Sequence, residues 1–158
     1  MDVVWEYRNR LLIEAVLCDY CRGVDALDHD LIVGLFAEDA EFDFGFGRVH
    51  KGPTGVYRQI SSNLSGTYSH TSHHISNIQI EFQGRNRATS RCYFMAWHRQ
   101  LDDGATRRLY GRYFDDLALS DSGWKITRRR LLMAGEEGYP PVPGQPTPFE
   151  LIERRGRG

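Results

Sequence analysis

The sequence predicts an α+β fold, a bent antiparallel sheet wrapped around a long N-terminal helix, and three observations predict it. Residues 4–22 place Val4, Leu11, Leu12, Ala15, Val16 and Leu17 near a 3.6-residue period, the mark of an amphipathic helix. From residue 73 onward the period changes to two, over segments 73–83, 88–100, 106–119 and 123–133. The links between those segments, "GRN", "DDG" and "DSG", have tight-turn compositions, so the four strands meander antiparallel. A bent sheet buries the helix's apolar stripe in its concave face, and such a cone leaves a pocket between the layers.

The remaining elements follow from local signals. Gly23 is a plausible stop for the first helix. Asp28 is placed to cap a second, short helix through "LIVGLF". "AEFDFGFG" alternates, which puts Phe42, Phe44 and Phe46 on one face of a strand. "KGPTGVYRQISSNL" supplies a third helix with Pro53 in its first turn. The tail "EEGYPPVPGQPTPF" carries all but one of the six prolines and reads as extended and irregular. The expected organisation is one α+β domain over 1–135 and a Pro-rich tail over 136–158.

Bulk properties narrow the function classes. A chain of 158 residues can bury one well-packed core, and 41% hydrophobic with 26% charged residues is ordinary for a globular protein. A net charge of −1 gives no general attraction to nucleic acid or anionic membrane, so neither is expected as a partner. No apolar run approaches the ~20 residues that span a bilayer. "MDVVWEYRNR" lacks the apolar stretch of a signal peptide, and the expectation is a cytoplasmic protein. "CDYC" lies inside the helical pattern, with no second pair for zinc and no preceding strand. Cys18 and Cys21 therefore read as helix residues, one or both facing the interior.

Alternation assigns faces to the later strands. Cys92, Phe94, Ala96 and His98 share an interior face, and Leu109, Gly111, Tyr113, Asp115 and Leu117 share one face of the next strand. On the last strand Lys125, Thr127, Arg129, Leu131 and Met133 oppose Trp124, Ile126, Arg128 and Arg130. Either choice brings an arginine inside, and an acidic group or an anion must meet it. Asp25 sits just past Gly23, where it can face water or point under the sheet.

"SHTSHH" gathers His70, His73 and His74. On a strand His70 and His74 share parity while His73 opposes them, and no other His or Cys completes a ligand set, so no metal is expected. A polar strand edge and a general acid–base histidine remain open. Strict alternation back from Ile78, Ile80 and Phe82 puts His74, not His73, on the apolar face.

In order and spacing, "CDYCRGVDALDHDLIVGLFAEDAEFDF", "HKGPTGV", "SHTSHHISNIQIEF" and "GWKITRR" resemble the SnoaL-like branch of the nuclear transport factor 2-like superfamily. Within it they look most like hexachlorocyclohexane dehydrochlorinase, more distantly like scytalone dehydratase. The resemblance covers roughly residues 5 to 133 and implies the cystatin-like cone and elimination of HX or water without a cofactor. It places the working Asp at Asp25, the working His at His73, an assisting Arg at Arg129 and a second catalytic His at His98. It selects His73 over His74, which strand parity allows if a bulge precedes Ile78 or if the apolar face is the outer one. Tyr20, Val24, Phe42, Phe94, Leu109 and Tyr113 are then the residues expected around a small apolar or aromatic substrate.

Two departures shape the expectation. The dehydrochlorinase has a lysine where this chain has Tyr20, which argues against dechlorination. The Ser and Asn of scytalone dehydratase fall near Gly111 and Tyr113, which argues against that substrate. The expected function is a cofactor-independent lyase with an Asp–His base, acting on a cyclic or aromatic compound. Alternatives are a carbon–carbon lyase releasing formaldehyde from an aromatic diol, a ketosteroid-isomerase-like isomerase, and a non-catalytic binding module. The resemblance also implies a homotrimer.

Overall fold

Asp2 opens the first helix by accepting a hydrogen bond from the Val4 N–H, and in the computed structural model the chain is described over residues 2–140 and 150–152. Helix α1 (Val3–Ala26) is followed by α2 (His29–Leu35), β1 (Phe36–Asp43), β2 (Val49–Lys51) and α3 (Gly52–Leu64). Four long strands complete the fold: β3 (Tyr68–Phe82), β4 (Arg87–Gln100), β5 (Thr106–Ser120) and β6 (Gly123–Glu137). They form one six-stranded sheet in the order β2-β1-β6-β5-β4-β3, antiparallel except where β1 runs parallel to β6. The predicted α+β architecture is present.

Gly23 does not end α1. The helix continues to Ala26 and closes at Leu27, whose left-handed φ of 50° lets its N–H reach the Gly23 and Val24 carbonyls. Gly23 instead permits close packing, because a Cβ there would lie 2.9 Å from Cγ1 of Ile32 on α2. Asp25 therefore sits within the last helical turn rather than beyond it. Asp28 caps α2 as expected, accepting from the Leu31 N–H at 3.0 Å.

The first strand is also displaced from its expected span. It begins at Phe36 and ends at Asp43, so Phe46 lies in the following turn with φ 55° and is exposed. Strand β2 has three residues, too few to leave a periodic signal.

Two bulges change which side chains enter the cone. Between Ser76 and Gln79 strand β3 carries one residue more than β4, and Asn77 has a φ of 51°. His73 and Ile75 before this bulge and Ile80 after it consequently all face inward, although their parities differ. On β6, Thr127 is the extra residue between Ile126, paired with Leu117, and Arg128, paired with Asp116. Trp124, Ile126 and Arg129 are thus all buried, where strict alternation separates them.

The core lies between α1 and the concave face. Ile13, Leu17, Tyr20, Cys21 and Val24 of the helix meet Phe42, Cys92, Phe94, Ala96, Leu117 and Ile126 of the sheet. The narrow end is closed by Trp5 against Phe82 at 5.1 Å and by Trp124, whose indole N–H donates to buried Asn9. Cys18 is exposed, Cys21 and Cys92 are buried, and all three are free thiols. No helix among the described residues is long and apolar enough to cross a membrane.

Strand β6 runs two residues beyond the expected domain boundary at 135, and residues 141–149 and 153–158 of the Pro-rich tail lie outside the described residues. Leu151 returns to bridge Met133 in parallel, and the Glu150 carboxylate accepts from Arg130 at 2.5 Å and from the Phe46 N–H at 2.6 Å.

Gly111 is the tightest point of the concave face. A Cβ there would meet Phe94 Cε1 at 2.4 Å and the Leu132 carbonyl oxygen at 2.5 Å. Gly111→Ala is expected to destabilise the fold by about 1–3 kcal/mol through overpacking. A urea denaturation midpoint equal to that of the native chain would contradict this packing.

Candidate active site

Because β3 is an edge strand, its outward N–H groups are not all used by the sheet, and Asp25 exploits this. Its Oδ2 accepts from the His73 backbone N–H at 2.9 Å. Its Oδ1 accepts from the Thr71 hydroxyl at 2.8 Å and lies 2.7 Å from His73 Nδ1. Partial burial pushes the Asp25 carboxyl upward, but the hydrogen bonds from the His73 ring, the His73 N–H and Thr71 outweigh it and hold it below the usual carboxylate range. An ionised carboxylate can only accept, so Nδ1 carries the proton and Nε2 is the basic nitrogen. The residue in the cavity wall is therefore His73; His74 is exposed and its Nε2 bonds Ser72.

The cavity between α1, α3 and the concave face holds about 370 Å³. That lies within the range of small-molecule sites. Tyr20, Val24, Phe42, Phe94, Leu109, Tyr113, His73 and His98 all line it. Asp25 and Arg129 stand one layer behind, Asp25 against His73 and Arg129 against two tyrosines. Among the described residues no group of three or more His, Cys, Asp or Glu converges as a metal-ligand set.

His98 is buried, with its ring 5.4 Å from that of His73. Its Nδ1 lies 2.8 Å from the Tyr139 hydroxyl, the Tyr68 ring packs at 4.5 Å, and Nε2 has no hydrogen-bond partner among the described residues. Burial, with a smaller contribution from His73, pushes its pKa down to about 4, so the imidazole is neutral at pH 7. Tyr139 and Tyr68 were not foreseen: Tyr68 precedes the visible alternation, and Tyr139 sits in the tail, where no period exists. Ile60 and Leu64 of α3 also line the cavity, and the i, i+4 spacing in "KGPTGVYRQISSNL" could have identified them.

Arg129 meets the acid that its burial demands. Its Nε and Nη2 donate to the two Asp115 oxygens at 2.7 and 2.9 Å, and Ser90 Oγ donates to the same carboxylate at 3.0 Å. The guanidinium carbon lies 4.2 Å from the Tyr20 ring centroid and 4.3 Å from that of Tyr113. Burial disfavours the cation, but Asp115 prevails and raises its pKa above the ordinary arginine value. Burial likewise raises Tyr20 and Tyr113, with Arg129 opposing, so both hydroxyls stay protonated at neutral pH. Burial pushes the Cys92 thiol up to about 12 and Cys21 to about 11, which makes neither a nucleophile.

Residues 5–130 match the family model of the SnoaL-like domain. The protein belongs to the SnoaL-like family. Its cone is that of the nuclear transport factor 2-like superfamily. No curated protein matches the sequence. Among solved structures, the SnoaL-like chain is similar to a scytalone dehydratase-like protein of Novosphingobium aromaticivorans. The two are 26% identical with a TM-score of 0.87, over 98% of this chain and 100% of that one. A second protein of that organism, described as aromatic ring hydroxylase-like, is 29% identical with a TM-score of 0.71, over 79% of this chain and 88% of that one. Hexachlorocyclohexane dehydrochlorinase type 3 of Novosphingobium barchaimii is 17% identical with a TM-score of 0.78, over 97% and 100%, and shows the fold alone.

Tyr139 lies beyond residues 5–130, which match the SnoaL-like model, and its hydroxyl meets His98 Nδ1 at 2.8 Å. The neutral His98 makes stability depend on pH with a definite sign. Its folded pKa of about 4 is below the ordinary 6.5, so the unfolded chain binds the proton first as pH falls. The stabilisation is complete above pH 6.5 and is lost toward pH 4, amounting to up to about 3 kcal/mol. Urea denaturation at pH 4.5 and 7.5 should show a smaller difference for His98→Gln than for the native chain. An equal difference would place the acid sensitivity elsewhere.

Proposed function

We propose that the protein is a cofactor-independent lyase that removes a carbon-bound proton from a cyclic or aromatic small molecule and expels water or another small group. The observation that carries this reading is the 2.7 Å contact between Asp25 Oδ1 and His73 Nδ1 at the wall of an apolar cavity. A carboxylate on one ring nitrogen fixes the tautomer, leaves Nε2 as base, and stabilises the imidazolium that forms. A module that only binds its ligand has no use for that arrangement.

In the proposed step, Nε2 of His73 takes the proton. The electron pair of the broken carbon–hydrogen bond becomes a double bond as the leaving group departs with its own bonding pair; where that group is a hydroxyl, the proton held on His73 passes to its oxygen and it leaves as water. His98, neutral and buried nearby, serves as a hydrogen-bonding group rather than as a store of acidic protons. Arg129, spent on Asp115, contributes its positive field through Tyr20 and Tyr113 rather than by gripping the leaving group. The likeness to a scytalone dehydratase-like protein supports elimination over isomerisation, which would use the same base and return the proton elsewhere. A cytoplasmic homotrimer, implied by the resemblance, belongs to the same proposal, and light scattering measures the association.

A screen of hydroxylated aromatic and alicyclic compounds, followed by loss of water, tests the activity. With a substrate in hand, His73→Ala is expected to lower kcat by about 10²–10⁴-fold while circular dichroism stays native. Asp25→Asn should also lower kcat, since the amide can hold the ring in the wrong tautomer. Full turnover by His73→Ala would overturn the dyad.

A further inference from the structure

We propose that Tyr20 and Tyr113 form a subsite for the hydroxyl oxygen of a phenol, with the Arg129 guanidinium behind them as its source of positive charge. This rests on the reading of the cavity as a substrate pocket and adds the chemical class of the group held away from the dyad. The two polar regions are separated along the sheet. His73 pairs with Ala96, whereas Tyr113 pairs with Cys92, four residues further along β4. At the rise of an extended strand these levels are about 13 Å apart along the strand direction. The ring contacts divide in the same way. His73, His98 and Tyr68 make one group; Tyr20, Phe42, Phe94 and Tyr113 make another.

Three observations define the ligand. Arg129 lies over the faces of both tyrosine rings, and a cation there withdraws π density and makes each hydroxyl a stronger donor. The Arg129 side chain is 1% exposed and does not line the cavity, so its charge acts on a ligand through the two tyrosines. Arg129 and Asp115 nevertheless neutralise each other. A carboxylate or phosphate would bring a full charge into a region with no net charge to offset it. A phenol enters neutral and stays so, its oxygen accepting from the two tyrosine hydroxyls. Planarity fits as well: Phe94 stacks on Tyr113 at 4.6 Å, and Gly111 leaves that stack room.

The test is equilibrium binding of 4-nitrophenol and of its methyl ether, 4-nitroanisole, followed by absorbance. The native chain should bind 4-nitrophenol at least about tenfold more tightly than the ether. Tyr20→Phe and Tyr113→Phe should each weaken 4-nitrophenol about tenfold and leave 4-nitroanisole nearly unchanged. His73→Ala should retain the preference for the phenol, so failure of the lyase reading and failure of this subsite are separately visible. Equal affinity of the native chain for the two compounds would overturn the proposal, whatever the variants do. Binding of neither compound at millimolar concentration would overturn it too.

Discussion

A guanidinium taken out of water has to be neutralised within its own hydrogen-bonding reach, and the Arg129 side chain is almost completely enclosed. Its partner is directly across the ladder: Asp115 on β5 pairs with Arg129 on β6, and Ser90 on β4 pairs with Asp115. Three strands are thus tied at one level by groups that cannot be satisfied in any shifted register. The same guanidinium reaches across to the helix, because the Tyr20 ring on α1 covers one side of it and the Tyr113 ring on β5 another. Removing either member of the ion pair would strand a buried charge, which costs about 3–5 kcal/mol. The helix and the sheet are held at the spacing that the cavity needs by an interaction that is itself expensive to bury.

The helix and the meander were legible because a change of period from 3.6 to 2 is a direct imprint of backbone geometry. The faces were legible on β4 and β5, where Cys92, Phe94, Ala96 and His98, and then Leu109, Tyr113, Asp115 and Leu117, are buried in strict alternation. Alternation failed on β3 and β6, and in both cases at a bulge. One extra residue shifts parity without any hydrophobic signature. Asn77 is the one visible hint, since asparagine tolerates the left-handed conformation better than most residues. Thr127, whose hydroxyl donates to the Asp116 carbonyl, offers none. The arginine expected to enter the interior did so with an acid waiting, but periodicity alone could not say which arginine.

The site itself depends on contacts between distant parts of the chain. Asp25 and His73 are 48 residues apart and meet because α1 runs to Ala26, past the glycine that sequence reasoning took for its end. Gly23 illustrates why: a glycine near a helix terminus and a glycine under a helix crossing look identical in a sequence. Tyr139 was beyond reach for a different reason. It follows the last strand, in a segment without periodicity, and becomes part of the cavity wall through the hydroxyl it brings to His98.

The cavity therefore contains two histidines of unlike character in near contact, and their difference has a chemical consequence. His73 has a carboxylate on Nδ1, so a proton arriving at Nε2 creates an ion pair. His98 has a hydroxyl on Nδ1 and is buried, so a proton arriving there creates an isolated charge. Once His73 is charged, its repulsion depresses His98 further, since like charges this close cannot both form. In the proposed reaction, a proton taken from a bound molecule would therefore be confined to the His73–Asp25 pair instead of migrating along the wall. Under the proposed lyase reading, that retention is what an elimination would require of its base, since the same proton would be at hand for the departing group.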